Sequence, residues 1–80
     1  MNSYEKAQTG IVMLKAAVFE LLQSTNEEGL TNAEIGRSLG IYGGHKGHEG
    51  HISRTILAAL ERDEVVTQRE EDKKWVMRPS

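Results

Sequence analysis

Apolar residues recur at three- and four-residue spacing along the first part of the chain. Ile11, Leu14, Val18, Leu21 and Leu22 mark one stripe, and Ala7, Ala16 and Ala17 favour helix. The pattern predicts a core-facing helix from about Tyr4 to Ser24, with Gly10 as its one weak point. It stops at Ser24-Thr25-Asn26, and Gly29 follows as a break. Leu30-Thr31 is short and extended at most. Thr31-Asn32-Ala33-Glu34 then reads as a capping box, in which the Thr hydroxyl and the Glu carboxylate each satisfy the other's amide. It opens a short second helix, about Asn32 to Leu39, with Ile35 and Leu39 facing inward. Gly40 ends it as a left-handed residue.

The next stretch, Ile41-Tyr42-Gly43-Gly44-His45-Lys46-Gly47-His48-Glu49-Gly50-His51, is too rich in glycine for anything but a loop. A third helix follows, about Glu49 to Arg62. Ile52, Ile56, Ala59 and Leu60 are its expected apolar face, with Ile52 at the centre, and Asp63-Glu64 closes it. Val65 to Arg69 and Lys74 to Arg78 read as strands. Between them Glu70-Glu71-Asp72-Lys73 is a solvated turn, so the pair is a β-hairpin. Trp75 alternates with Met77 and is expected to pack on the helices; Pro79 ends the run.

The 80 residues fit one domain, 1–80, whose buried fraction is small and whose stability margin is thin. Hydrophobic residues at 38% and charged residues at 28% are the balance of a globular protein. With no cysteine there is neither a disulfide nor a thiolate metal site. The apolar runs are short and broken by charge, so neither a transmembrane span nor a signal core is expected, and the expected compartment is the cytoplasm. Net charge is −2, mildly against a polyanion partner. Its distribution matters more. Between Gly29 and Ala58, Arg37, Lys46 and Arg54 face Glu34 and Glu49, three against two, and all three histidines lie there. The middle of the chain is therefore the expected polyanion-facing region.

The order of helix, short helix, loop, longer helix and hairpin is that of a helix-turn-helix followed by a wing. Leu30-Thr31-Asn32-Ala33-Glu34-Ile35-Gly36-Arg37-Ser38-Leu39-Gly40 is similar to the second helix of many bacterial regulators. Ile52 to Leu60, running on to Val65-Val66, resembles a recognition helix entering a strand, and Trp75 falls in the final strand. From about Gly10 to Arg78 the chain thus resembles the winged-helix superfamily. The resemblance implies an α+β fold: a three-helix bundle with a helix-turn-helix, then a two- to three-stranded β-hairpin wing. It also implies double-stranded DNA binding, by a transcriptional regulator or the targeting domain of a DNA-processing protein. One departure is the turn between the second and third helices. It is usually three or four residues long, and here Ile41 to His48 resembles a Gly/His-bearing insert.

In such a fold the third helix lies in the major groove. With Ile52 at the buried centre, Arg54, Ala58 and Glu61 lie opposite and His51 flanks them. Arg54 is the candidate for a forked contact to guanine; Ser53 and Thr55 are candidates for phosphate. The loop offers bare amides at Gly44 and its neighbours, near a helix N-terminus, with Lys46 for charge. Its histidines, His45, His48 and His51, would strengthen binding only when protonated, below about pH 6.5. Tyr42 is placed to stack on sugar or phosphate, or to cap the core. Thr31 and Asn32 are further phosphate candidates, although capping alone explains them. At the wing tip the acidic Glu70, Glu71 and Asp72 leave Lys73 and Lys74 to touch backbone at best, with the tip pointing away.

His45, His48 and His51 invite a metal reading. On a helix, however, the first and third lie about 120° apart around the axis, and Gly47 and Gly50 make a poor scaffold. No metal or cofactor is expected. No catalytic motif is present, and so small a core leaves little room for a pocket, so no enzyme activity is expected. The rival reading is a winged helix that binds protein instead of DNA, favoured by the acidic total and acidic wing. A homodimer through the first helix is compatible with either.

Overall fold

The computed structural model describes residues 1–44, 47 and 49–79. Its elements are α1 (Ser3–Thr25), α2 (Asn32–Ser38), α3 (His51–Arg62), β1 (Val66–Gln68) and β2 (Trp75–Met77). The result is a small α+β fold of three helices and one antiparallel two-stranded sheet. Val66 pairs with Met77, Thr67 with Val76 and Gln68 with Trp75. Leu30, expected to be extended at most, adds a bridge to Trp75 on the other edge of β2. Its amide donates to the Trp75 carbonyl at 3.0 Å, and the Trp75 amide donates back at 2.6 Å.

Capping chemistry sets the helix ends. Asn2 caps α1 in a reciprocal box with Glu5. Thr31 and Glu34 form the expected box on α2: the Glu34 amide donates to the Thr31 hydroxyl, and the Thr31 amide to the Glu34 carboxylate. Gly40, at φ +72°, closes α2, with the Ile41 amide donating to the Gly36 carbonyl and the Gly40 amide to Arg37. α3 ends in the same motif. The Val65 amide donates to Leu60 and the Glu64 amide to Glu61, but the left-handed position is held by Glu64, at φ +61°. An L-residue there costs roughly 1 kcal/mol. Glu64→Gly is therefore expected to raise stability by about 0.5–1 kcal/mol in urea denaturation, the gain being reduced by glycine's freer unfolded chain.

One cluster forms the core: Val18 and Leu22 of α1, Ile35 of α2, Ile56, Leu57 and Leu60 of α3, and Val66 and Trp75 of the sheet. Two expectations fail here. Ile52, taken as the centre of the α3 buried face, is 50% exposed, and Ser53 beside it is wholly buried. The inward stripe is 53, 56, 57 and 60, the i, i+3, i+4, i+7 pattern of an amphipathic helix. Serine fits into it because its hydroxyl donates to Asn32 Oδ1 at 2.8 Å and lies 3.2 Å from the Gly50 carbonyl. The stripe of α1 also stops short: Ile11 is 40% exposed, and every residue from Met1 to Met13 is exposed. The first turns of α1 extend past the core instead of covering it.

Arg69 anchors the β1–β2 hairpin. Its guanidinium donates to the carbonyls of Glu27 and Glu28 at 2.6 and 2.5 Å and to both Asp72 carboxylate oxygens. The Arg69 side chain and the Lys74 amide hold Asp72 below the usual carboxylate range. A lowered carboxylate contributes stability that is present above its unfolded pKa and lost as pH falls through the folded one. Arg69→Met is expected to cost about 1–2 kcal/mol at neutral pH through the carbonyl contacts. It should also flatten the loss of stability on acidification below the carboxylate range, as read by urea melts across pH.

Candidate nucleic-acid interface

Helix geometry decides what α3 offers to a partner. With Ser53, Ile56, Leu57 and Leu60 inward and about 100° per residue, the outward face centres on His51, Thr55, Ala58 and Arg62, all exposed. Arg54 and Glu61 form one flank, Ile52 and Ala59 the other. The face expected from the sequence is thus turned by about a quarter of the helix. Arg54 and Ala58 remain on the surface, and Arg62 joins the face that sequence reasoning assigned to neither side. Thr55 is exposed, with its hydroxyl donating to the His51 carbonyl at 2.8 Å; its oxygen is still open to accept. Ser53 is a correction: a hydroxyl that is buried and bonded inside the fold cannot reach a phosphate on the surface.

Asn32 is committed to the interior. Its Nδ2 donates to the Gly50 carbonyl at 3.1 Å while its Oδ1 accepts from Ser53. These bonds tie the start of α2 to the start of α3 and fix how the two helices meet. The Gly50 carbonyl also accepts the Arg54 amide at 3.0 Å, so this one peptide joins α2, the loop and α3. Asn32 therefore holds the α2–α3 junction in place, and Thr31 is occupied as the α2 cap. Glu34 closes that cap, and the Thr31 amide is the main reason its carboxyl lies below the usual range. The Thr31 hydroxyl and the charges of Lys74 and Arg37 act in the same direction.

Tyr42 packs against Gly36 and Gly50, where added β-carbons would lie 2.9 Å from its ring. On its outer side the Arg37 guanidinium stacks at 4.6 Å from the ring centre. Tyr42 thus packs on the junction of α2 and α3 and is a platform for Arg37. Arg37 is itself exposed and so presents its charge beside the junction. Gly44 is exposed in the loop, whereas His45, Lys46 and His48 lie outside the described residues. At the turn of the hairpin, Lys73 is exposed and left-handed, Lys74 is half-buried, and Glu70, Glu71 and Asp72 are all exposed.

Among the described residues no three metal-ligating side chains come together. No helix among them is long and apolar enough to cross a membrane. In comparisons with known proteins, no family model matches the chain, and neither curated proteins nor solved structures give a significant match.

Proposed function

We propose that this chain is a winged-helix module that binds double-stranded DNA through α3, working in the cytoplasm as a regulator or as the targeting part of a DNA-processing protein. One observation carries the reading. α3 turns a wholly exposed face, with Arg54 and Arg62 among His51, Thr55 and Ala58, away from the core. That face is free of large apolar side chains and narrow enough for a major groove. Arg54 is the base-reading candidate; Arg62 and the Tyr42-backed Arg37 are suited to phosphates. The Asn32–Ser53–Gly50 bonds give the helix pair the rigidity that docking requires.

The test is fluorescence anisotropy with a labelled random duplex at low and moderate salt. Binding should weaken steeply as salt rises. Arg37→Ala and Arg62→Ala should each lower the salt slope by about one phosphate contact, and Arg54→Ala should weaken binding about tenfold or more. Absence of binding at low salt with micromolar protein would sink this reading. The rival, a protein-binding winged helix, draws on Glu61 beside Arg54 and on the acidic wing tip, both of which repel phosphate. It would then become the working account.

A further inference from the structure

Two exposed residues of opposite charge stand in line on α3. Arg54 and Glu61 are seven positions apart, which brings them within about 20° of each other around the helix and about 10 Å apart along it. Ala58 lies between them, about 40° round from Arg54 and about 60° from Glu61. All three are exposed. Among the described residues neither charged side chain has an ion-pair partner: the bridges there are Lys15–Asp63 and Arg69–Asp72. The other flank of the helix is less open. His51, Ile52 and Thr55 border a groove whose far wall is Ile11 and Leu14 of α1. The line of Arg54, Ala58 and Glu61 is on the side of α3 turned away from that wall, where a partner has the clearer approach.

We infer that this line reads bases, and that Glu61 is a specificity-determining residue. Its carboxylate accepts from the exocyclic amine of a cytosine, about three base pairs from the guanine that Arg54 grips. The inference rests on the DNA reading above and gives that site its sequence preference. The spacing fits, because about 10 Å of helix covers three duplex steps of about 3.4 Å each. Ala58 between them is small enough to let both neighbours reach the groove floor, and its methyl suits a thymine methyl.

The charge of Glu61 sets the choice of base. Cytosine N4 is a donor in the major groove, whereas guanine and thymine present acceptors to the same position. Adenine offers its amine beside the N7 acceptor and is the second choice. A carboxylate in this place therefore favours one base and penalises every register that brings an acceptor edge or a phosphate against it. Binding to unrelated duplex is weakened, and discrimination between sites is gained.

Selection by the full chain from a duplex library with a randomised core tests this. Enriched duplexes should carry a guanine and a cytosine three base pairs apart, and replacing that C·G pair by T·A should weaken binding about tenfold. Glu61→Gln should move the preference at the cytosine step to adenine, since a carboxamide pairs with adenine N6 and N7. Glu61→Ala should abolish the preference at that step alone, while unrelated duplex binds severalfold more tightly. Glu20→Gln removes the same charge from an exposed position on α1 and should leave the preference unchanged. Helical circular dichroism equal to the parent's checks that each variant is folded. Selection that is the same for the parent and Glu61→Ala overturns the inference, even if the variant binds all duplexes more tightly, because the carboxylate then acts only by repelling phosphate. Binding with no base preference overturns it too. No binding of any duplex by the parent chain is a separate result, which removes the DNA reading itself and this inference with it.

Discussion

Gly29→Ala is expected to remove about 3–4 kcal/mol of the domain's stability. Gly29 has φ +76°, and a β-carbon there would lie 2.6 Å from the Trp75 carbonyl oxygen and 2.6 Å from a Val76 methyl. The first contact is with backbone that belongs to the sheet, so it cannot be relieved by rotating a side chain. Relief requires moving the Leu30–Trp75 pairing, which contributes two backbone hydrogen bonds. The left-handed conformation costs an L-residue about 1–2 kcal/mol, and each lost bond about 1 kcal/mol more. The sum is about 3–4 kcal/mol, against a total of about 4–12 kcal/mol for a domain of this size. Gly40→Ala is the control. It shares the sign of φ, at +72°, but its added carbon meets nothing within 4 Å, so it should cost only about 1 kcal/mol. Urea denaturation followed by the fluorescence of Trp75, the single tryptophan, reads both. Equal effects at the two positions would show that the close approach to β2 is not what matters.

Much of this fold can be read from local signals. The cap of α2, its left-handed stop at Gly40 and the order of three helices before a hairpin each rest on residues within a few places of one another. What could not be read depends on pairs distant in sequence. Ile52 is the more hydrophobic choice for the inner face of α3, and Asn32, 21 residues earlier, helps make Ser53 acceptable there. That one substitution of polar for apolar rotates the outward face and brings Arg62 into it. Arg69 looked like the end of a strand, because its partners are the carbonyls of Glu27 and Glu28, 42 and 41 residues away. The bare half of the α1 stripe is illegible for the opposite reason. Periodicity shows that a face is apolar, and says nothing about whether another element packs on it.

The same reasoning makes Gly50 the point where the packing of α2 against α3 is most exposed to change. It has φ +81° and precedes α3 as its N-cap, with no side-chain cap in place. An added β-carbon would lie 2.7 Å from Asn32 Nδ2 and 2.9 Å from the Tyr42 ring. Unlike at Gly29, the nearest atoms belong to side chains, so they can yield, but they are the ones that hold α2 to α3. Moving Asn32 gives up its bonds to Gly50 and Ser53, and moving Tyr42 shifts the ring on which Arg37 rests. Gly50→Ala is expected to cost about 2–4 kcal/mol, from the left-handed strain together with the displaced hydrogen bonds. A double-mutant cycle separates these parts. In an Asn32→Ala background the nearest clash is gone and the bonds are already lost, so Gly50→Ala should cost about 1–2 kcal/mol less there than in the parent. Strict additivity would mean that backbone strain alone sets the cost and that the Asn32 clamp is not what ties the two helices together. If the DNA reading holds, Gly50→Ala should also weaken duplex binding at temperatures where the variant is still folded, because α3 keeps its side chains but loses its fixed angle to Arg37.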